Sequence, residues 1–464
     1  MKSISILSFL LCFSLAVAQP HRVSNCSQLI AQLRESEQER SITIDKKIHL
    51  EANCLIPRNI HLNIEKGGGF ILEKGVSLTI LGNLSAGIYQ IFELAPNLSC
   101  VDAIKGDVLF DKAYPHWFGA KGDGTNDDTR AIQLAVDFVS NQKNSVLYFP
   151  ANRKYQSYLI SKTIKIRKAI DIIGAGIERT TIIAKGFDQK DVLFDYYSEV
   201  IADDTFGTYA PVVEHLKITG LTLRSLPSKS GTKVGIGIKN TNFSYFLMEE
   251  VRFYDLYIGS ISTGIRTYSN TWDRVVCYGI ERTGILFENF KGGGHLNLFN
   301  CTFQGGQYGF LIDSTSNISG ISLYGCNFEK GNTGLFVAGT VLAMNINGCR
   351  TEGNLSTDFH FFPSKGNYIT SLNIQTNYLQ TNSAGSSSLV FNGSQGQILG
   401  FEVTGNYAAV AEKHLIDFHS ADQIKGHVRN NFLQSLTGKI SANTPPLVAF
   451  EANLNESGRL DQRK

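Results

Sequence analysis

Three successive segments of the chain share one pattern: HLNLFNCTFQGGQYGFLID (residues 295–313), GISLYGCNFEKGNTGLFVA (320–338) and LAMNINGCRTEGNLSTDFHF (342–361). The shared cysteine recurs at intervals of 24, 25 and 23 residues, at positions Cys277, Cys301, Cys326 and Cys349. A steady repeat of this length is typical of solenoid proteins, and apolar residues at every second position indicate strands. Each copy contains three such runs, so the pattern predicts an all-β protein, a parallel β-helix with three strands per coil.

The repeat also predicts which side chains meet between coils. A tight turn follows the first run of each copy, marked by Asn300, Gly325, Gly348 or Gly405. Backbones of neighbouring coils pair at about 4.8 Å, so equivalent residues form columns along the axis. None of the cysteine intervals resembles a CxxC zinc pattern, and free cysteine is among the most buried residue types. The cysteines are therefore predicted to fill an interior column.

An acidic, glycine-rich loop precedes the repeat and runs into a helical pattern, WFGAKGDGTNDDTRAIQLAVDF (residues 117–138). Apolar residues recur at helical spacing from Ala131 to Val136, and Asp127 or Thr125 is the predicted N-cap. The open end of a β-helix exposes core and unpaired strand edges, and natural solenoids cap that end. The spacing of an EF-hand loop and the sequence of a P-loop are both absent. The stretch is therefore predicted to be a capping helix, and no metal or cofactor is predicted.

The same loop and helix resemble the first motif of the pectate lyase superfamily, which includes rhamnogalacturonases, polygalacturonases, epimerases and phage tailspikes. The segments YFPANRKYQSYLISKTIKI (148–166) and IDIIGAGIERTTIIA (170–184) continue the resemblance, which covers roughly residues 113–432. The resemblance implies a right-handed parallel β-helix and, usually, chemistry on polysaccharides. It does not by itself give a reaction, because one fold hosts many functions.

The chain is predicted to comprise four segments. Residues 1–18 have the basic start, apolar run and small-residue cleavage site of a signal peptide. Residues 19–112 form a β-rich lead-in, 113–440 the β-helix and 441–464 a C-terminal tail. No later run reaches the ~20 apolar residues that a membrane span needs. The protein is therefore predicted to be exported, to the periplasm, the cell surface or the medium, without a membrane span.

Charge and cysteine content narrow the classes of partner. The chain carries 43 basic and 41 acidic residues, and its net charge of +2 excludes a strongly basic nucleic-acid binder. The lead-in contains one predicted helix, in NCSQLIAQLRESEQE (25–39), and the pairing of Cys26, Cys54 and Cys100 stays open. The resemblance implies a polysaccharide partner, which we predict to be anionic, and it leaves both a monomer and a homotrimer open.

The resemblance to polygalacturonases places substrate along the sheet formed by the third run of each copy. Outward positions of that run form one predicted column: Lys239, Tyr268, Glu288, Asp313, Ala338, Phe362, Asn392 and His419. The neighbouring predicted column comprises Gly237, Arg266, Leu286, Leu311, Phe336, His360 and Asp417.

Glu288 and Asp313 are the predicted catalytic pair, because they fall on adjacent coils. Two carboxylates about 5 Å apart suit retaining glycosidases, and a wider gap suits inverting ones. The predicted substrate-binding residues are Lys239, Arg266, Tyr268 and Arg282. Aromatic rings can stack on sugars and cations can pair with their carboxylates, so this set suits an acidic chain.

Two rival acid pairs occur, Glu329 with Glu352 on the second run and Glu249 with Asp273 on the first. The NTD, DD and GHG signatures of polygalacturonases are absent, and so is a recognisable pectate lyase calcium cluster. Three functions are therefore kept. Hydrolysis of an acidic polysaccharide comes first, β-elimination by a lyase second, and non-catalytic glycan binding or surface construction third.

Overall fold

The computed structural model describes residues 21–34, 38–143, 145–151, 156–203, 208–211, 214–228, 230–265, 267–380, 387–409, 414–434 and 439–459. The predicted signal peptide and Arg266 lie outside these residues, so both stay predictions. No helix in the described ranges is long and apolar enough to cross a membrane. The chain divides into two compact units, residues 1–110 and 111–464.

The first unit is a small three-sided solenoid of parallel strands. Its first sheet contains His21–Val23, Arg40–Ile44, Ile60–Ile64 and Asn83–Ala86. Its second contains Lys47–Leu50, Gly69–Leu72 and Phe92–Leu94, and its third Cys54–Ile56, Leu78–Ile80 and Ile104–Lys105. Two helices accompany them, α1 (Cys26–Arg34) and α2 (Cys100–Ala103). The predicted lead-in thus forms coils of its own, and its helix begins one residue after the predicted start.

The second unit is the predicted parallel β-helix, and its chain visits three sheets in turn. The first sheet contains Val146–Phe149, Asp171–Gly174, Glu214–Ser225, Ser244–Tyr254, Thr271–Asp273, Leu296–Phe299, Ile321–Tyr324, Met344–Asn347, Leu372–Gln375, Gln397–Thr404, Ile424–Arg429 and Val448–Glu451. The second contains Asp123–Asp127, Gln156–Ile160, Thr180–Ala184, the ends of Glu214–Ser225 and Ser244–Tyr254, Val276–Ile280, Thr302–Gly305, Asn327–Glu329, Arg350–Glu352, Tyr378–Leu379, Tyr407–Ala408, Phe432–Leu433 and Leu454–Asn455.

The third sheet contains Ile164–Ile166, Val192–Tyr197, Val234–Thr241, Leu256–Ile265, Thr283–Gly293, Tyr308–Ile312, Thr333–Val337, Thr357–Phe361, Leu389–Asn392, His414–His419 and Lys439–Ala442. A short fourth row joins the third sheet to the first through Asn317–Ile318, Thr340–Val341 and Tyr368–Thr370. The remaining elements are the antiparallel hairpin Val200–Asp203 with Thr208–Pro211, the last strand Gly458–Arg459, and the 3₁₀ turns Pro115–Phe118 and Ala421–Gln423.

The predicted interior column of cysteines is confirmed for three of its four members. Asn300, Gly325 and Gly348 have φ of 51°, 60° and 62°, a left-handed backbone that turns the chain sharply between the first and second sheets. The residue after each turn, Cys301, Cys326 or Cys349, is at most 1% exposed. Side chains about two dozen residues apart therefore lie on top of one another.

Cys277 does not belong to that column. It pairs in register with Phe303, two positions beyond Cys301. The turn of its coil is Arg274 (φ 51°), so Val275 takes the place that the cysteines hold in later coils. Arg274 is not a residue typical of this backbone, which is why the interval of 24 residues pointed to the wrong register.

Asparagines replace the cysteines in the same column over the last coils. Asn377, Asn406, Asn431 and Asn453 are at most 2% exposed. The Oδ1 atom of each of the last three accepts the backbone N–H of the asparagine one coil earlier, at 3.0 to 3.1 Å. Their Nδ2 atoms donate to buried carbonyl groups, so the polar side chains are satisfied inside the core.

The ladder contradicts the predicted end of the β-helix at residue 440. Lys439–Ala442 pairs with His414–His419, and Val448–Glu451 pairs with Ile424–Arg429, both in parallel. The predicted tail from residue 441 is therefore wrong as far as the structure describes it, to residue 459. Short strands with little alternation hid this coil, although Asn453 repeats the asparagine of the column.

The predicted capping helix is confirmed as α3, Thr129–Val139, whose apolar face is buried. Gln133 covers the edge strand Ile164–Ile166. Its Oε1 accepts the N–H of Lys165 at 2.8 Å, and its Nε2 donates to the Lys165 carbonyl at 3.0 Å. The side chain therefore takes the place of a neighbouring strand, which protects the edge.

The carboxylates of the acidic loop before α3 accept backbone N–H groups around the start of this capping helix. The N-cap is Asp128, not Asp127 or Thr125, and its carboxylate accepts the N–H groups of Lys121 at 2.6 Å and Gly122 at 3.0 Å. Asp127 instead accepts the N–H of Thr129 at 2.9 Å. These carboxylates are thus engaged by the chain's own donors. Among the described residues, no group of three or more His, Cys, Asp or Glu is arranged to hold a metal ion.

Buried Asp358 makes stability depend on pH. Burial raises the pKa of its carboxyl from 3.8 to about 6, against the opposing hydrogen bond from Asn354 Nδ2 at 2.9 Å. The folded state therefore holds a proton that the unfolded chain releases, and stability falls as pH rises from about 4 to 6. We expect Asp358→Asn, which cannot ionise, to gain up to about 3 kcal/mol relative to wild type between pH 4 and pH 8. Denaturant unfolding of both proteins at pH 4 and pH 8 measures the difference in free energy of unfolding. The same difference at the two pH values would contradict the prediction.

Candidate functional site

The outer face of the third sheet brings together most of the residues predicted for the site. Strand register aligns one column, called the Leu286 column: Lys165, Asp195, Lys239, Ile261, Leu286, Leu311, Phe336, His360, Val390 and Asp417. Two residues further along each strand lies a second outward position. It is occupied by Glu288, Asp313, Phe362, Asn392 and His419 in their coils, and it is called the Glu288 column.

Glu288 and Asp313 lie on adjacent coils, as their sequence positions predict. They directly follow Phe287 and Ile312, which pair in register, and the N–H of Asp313 donates to the Phe287 carbonyl at 3.0 Å. The Oδ1 of Asp313 accepts the Thr315 hydroxyl at 2.6 Å, whereas the described residues offer Glu288 no hydrogen bond or ion pair. Both side chains are half-buried. The carboxylate of Asp313 is thus held within a turn, whereas the carboxylate of Glu288 is available to a ligand.

The alignment of Lys239 with Glu288 is wrong by two residues. Lys239 pairs with Ile261 and so lies in the Leu286 column. Its strand contains two glycines, and Gly237 is the one that matches Gly259 in the next coil, because a Cβ on Gly237 would lie 2.6 Å from the Gly259 carbonyl. The prediction that Lys239 is level with Glu288 instead matches Gly235 with Gly284, because each glycine lies four residues before its partner in the predicted column.

Tyr268 lies outside both columns, contrary to the prediction. It bridges to Gly294, six residues beyond Glu288, and is 41% exposed. The predicted position of Tyr268 matches Gly264 with Gly284, whereas strand register matches Gly259 with Gly284. Arg266 lies outside the described residues. Arg282 directly precedes the strand Thr283–Gly293, whose first residue is buried. The Arg282 side chain is half-buried and has no partner in the described part of the chain. The basic and aromatic cluster predicted beside Glu288 is therefore not assembled as expected.

The rival pair Glu249 and Asp273 is engaged in ion pairs. The two residues pair in register, and Arg274 binds Glu249 Oε1 at 2.9 Å and Asp273 Oδ2 at 2.6 Å. Lys217 Nζ binds the other Glu249 oxygen at 2.5 Å. The hydrogen bond from Lys217 is the main cause of the lowered pKa of Glu249. Glu249 is therefore kept ionised and paired, which does not suit an acid catalyst.

Glu329 and Glu352 also pair in register, on the second sheet. Gln304 Nε2 donates to Glu329 at 3.2 Å, and Arg350 binds Glu352 at 2.5 Å. The column of these two carboxylates also contains Tyr254 and Tyr278, whose stacked rings lie 5.4 Å apart and nearly parallel, and Arg224 precedes them in register. Stacked rings turn their edges outward, so they offer no flat face to a sugar.

A cluster of polar residues around His419, called the histidine cluster, lies on the C-terminal coils of the same outer face as Glu288. It comprises His419, Asp417, Asn392 and Asn443, and the sequence did not single it out. His419 Nε2 lies 3.1 Å from Asp417 Oδ2, and Asn443 Nδ2 donates to the other Asp417 oxygen at 3.3 Å. Asn392 is the register partner of His419 on the preceding coil. Its Oδ1 accepts the N–H of Ser394 at 3.0 Å, and its Nδ2 has no partner among the described residues.

His360 borders this cluster and stays neutral. Its ring packs 4.9 Å from Phe336 and 6.0 Å from Phe362. Burial, with a contribution from the charge of His419, lowers the pKa of His360 to about 4. Together the three rings form an apolar wall two to three coils before His419 on the same face. A base held by a carboxylate, an amide donor and an apolar wall therefore lie on four successive coils, which is an arrangement suited to binding a sugar chain and to proton transfer from it.

The fold defines the class of protein, a right-handed parallel β-helix. The family described as rhamnogalacturonase A/epimerase, pectate lyase-like matches residues 116–354. The match covers more than half of the chain, so the chain belongs to that family. It includes Glu288 and Asp313, whereas the histidine cluster follows it.

Two curated proteins of Azotobacter vinelandii are similar in sequence. Alginate lyase 7 is 26% identical over 222 residues, which are 43% of this chain and 23% of that protein. Mannuronan C5-epimerase AlgE2 is 36% identical over 80 residues, 16% of this chain and 8% of that protein. The chain thus spans less than a quarter of either relative.

Solved structures share the fold. The A-module of mannuronan C-5 epimerase AlgE6 from Azotobacter vinelandii aligns with a TM-score of 0.55 and 15% identity, over 74% of this chain and 98% of that one. The surface protein and adhesin PfbA of Streptococcus pneumoniae aligns with a TM-score of 0.51 and 15% identity, over 74% of this chain and 97% of that one. At this identity the likeness concerns the fold alone.

Proposed function

We propose that the protein acts on an acidic, uronate-containing polysaccharide and cleaves it by β-elimination, beginning with removal of the proton on C5 of a uronate. The names of the two similar curated proteins, an alginate lyase and a mannuronan C5-epimerase, support this substrate class. Epimerisation at C5 requires loss of that proton, and elimination from a uronate begins in the same way. Export through the predicted signal peptide is part of the proposal, because such a polymer is met outside the cell.

The observation that carries the proposal is the contact of His419 with Asp417, with Asn392 in register on the preceding coil. When the Nε2–H of His419 donates to Asp417, the lone pair on Nδ1 is free to accept a proton. The carboxylate holds the ring in that tautomer and stabilises the imidazolium that forms. In this proposal Asn392 Nδ2, one coil away, donates to the carboxylate of the sugar, where negative charge grows as the C5 proton leaves.

The elimination step balances without a further reactant. The C5–H bond breaks and its proton passes to His419, while its electron pair forms the C4–C5 double bond. The C4–O bond breaks, and the oxygen of the departing chain takes a proton from solvent or from the imidazolium. Binding against the rings of Phe336, His360 and Phe362 would exclude water from one side of the sugar.

Hydrolysis by Glu288 and Asp313 is the second candidate, and it rests on their register. Adjacent coils lie about 4.8 Å apart, close to the roughly 5 to 5.5 Å between the carboxyl groups of retaining glycosidases. The turn that engages Asp313 favours the lyase over this candidate, because it ties one of the two acids to Thr315 and Ser316.

A product screen separates the candidates. We expect mannuronan and other uronate polymers, but not a neutral glucan, to yield products with the ultraviolet absorbance of an unsaturated uronide. New reducing ends without that absorbance would overturn elimination and favour the carboxylate pair. Binding without any shortening of the chain would overturn both and leave the non-catalytic function.

A further inference from the structure

A basic groove lies at the N-terminal end of the third sheet, where α3 covers the strand Ile164–Ile166. It encloses about 700 Å³. The charged side chains that line it are Arg130, Lys162, Lys165, Arg167, Asp127 and Asp137. Cations thus outnumber carboxylates in the groove by two to one, whereas the chain as a whole is nearly balanced.

The two carboxylates of the groove accept their hydrogen bonds from neutral partners, and Lys162 adds an electrostatic attraction to Asp127. Asp127 accepts the hydroxyl groups of Thr129 and Ser161, each at 2.5 Å. Asp137 accepts Gln133 Nε2 at 2.9 Å, and burial raises its pKa. The ammonium groups of Lys162 and Lys165, in contrast, make no hydrogen bond or ion pair within the part of the chain that the structure describes, and both residues are exposed. The groove therefore has cationic groups available to a ligand.

The groove opens onto the outer face that carries the proposed site. Lys165 is the first residue of the Leu286 column, followed by Asp195 and Lys239. Arg167 neutralises Asp195 through an ion pair of 2.8 Å, so a negative ligand would meet no unpaired carboxylate there. At about 4.8 Å per coil, Lys165 lies about 19 Å from the level of Glu288 and about 43 Å from the level of Asp417.

We propose that this groove binds carboxylate groups of an acidic glycan that lies along the third sheet. The identity of the glycan rests on the proposed function, and the groove adds to it a subsite far from the reacting sugar. Lysine ammonium groups act as point charges and do not require a fixed geometry, so they suit a polymer with repeated carboxylates. The subsite should increase affinity for long chains and should not change the turnover of oligomers too short to reach it.

The test compares two double charge reversals. Lys162→Glu with Lys165→Glu removes the free cations of the groove. Lys168→Glu with Lys185→Glu makes the same change at exposed residues that do not line it. Binding of mannuronan, of a second uronate polymer and of a neutral glucan is measured by calorimetry at low and high salt.

We expect the groove variant to bind a uronate polymer about tenfold more weakly at low salt, because two exposed ion pairs with the polymer are lost and the reversal adds repulsion. High salt should reduce the difference, and the control variant should bind like wild type. Equal affinity of the groove variant and wild type, or no binding of any uronate polymer by wild type, would overturn the inference.

Measurements of catalytic activity distinguish failure of this inference from failure of the proposed function. We expect the groove variant to raise KM for the polymer and to leave kcat/KM for a uronate trisaccharide unchanged. Binding that depends on the two lysines, without any unsaturated product, would overturn the elimination reaction and still support the groove as a binding subsite. Formation of unsaturated product by a groove variant with unchanged polymer affinity would support the elimination reaction and overturn the subsite.

Discussion

Replacing Asn406 with alanine should lower the free energy of unfolding by about 3 to 5 kcal/mol, because several buried groups would lose their partners at once. Asn406 Oδ1 accepts both the N–H and the Nδ2 of Asn377, at 3.0 and 2.9 Å. Its own Nδ2 donates to the Ile374 carbonyl at 2.9 Å and to Asn431 Oδ1 at 2.9 Å. The side chain is 1% exposed, so water cannot replace it without entering the core.

A matched control comes from the same coils. Asn373 is half-buried on the outer surface and makes one such bond, from its Nδ2 to Asn345 Oδ1 at 3.0 Å. Asn373→Ala should therefore cost about 1 kcal/mol or less. Chemical denaturation of both variants measures the two values. Equal losses, or a loss below about 1 kcal/mol at Asn406, would contradict an interior ladder that joins successive coils.

Replacing His419 with glutamine should lower kcat on a uronate polymer by about 10² to 10⁴-fold, the usual contribution of a positioned general base. The amide keeps the size and polarity of the side chain but cannot accept the C5 proton. Asp417→Asn should also reduce kcat, because the amide no longer holds the imidazole in the required tautomer. Steady-state kinetics by ultraviolet absorbance measures both.

His427→Gln is the control for that series. His427 is exposed on the first sheet, away from the third-sheet face, and its loss should leave kcat unchanged. Glu288→Gln with Asp313→Asn should retain kcat within about tenfold, since elimination does not use them as acid and nucleophile. Full activity of His419→Gln with an inactive carboxylate double variant would instead assign the reaction to Glu288 and Asp313.

Much of the fold followed from the sequence because a coil repeats its chemistry at nearly constant length. The intervals between Cys301, Cys326 and Cys349 predicted the interior column, and the same intervals placed Glu288 and Asp313 on adjacent coils. The sequence does not fix the register where one strand contains two glycines, as in Leu256–Ile265 with Gly259 and Gly264. In the structure Gly259 is the one opposite Gly284, whose carbonyl would lie 2.3 Å from a Cβ on Gly259.

The histidine cluster could not be predicted in the same way. The register interval lengthens to 30 residues from His360 to Val390 and to 27 from Val390 to Asp417, against 25 and 24 in the two coils before them, so the repeat loses its constant length there. Asp417 and His419 did fall in the predicted columns, but their contact depends on side chains two residues apart on one strand converging at 3.1 Å. Such a contact is set by side-chain conformation, which no spacing rule contains.

The fate of the C5 proton tests the central claim most directly. Mannuronan incubated with the protein in D₂O is followed by NMR at the C5 position. The proposed function predicts that reacted residues lose their C5 proton and appear as new chain ends with an unsaturated C4–C5 bond. Shortened chains in which every C5 proton is retained would contradict it, because hydrolysis leaves that bond intact.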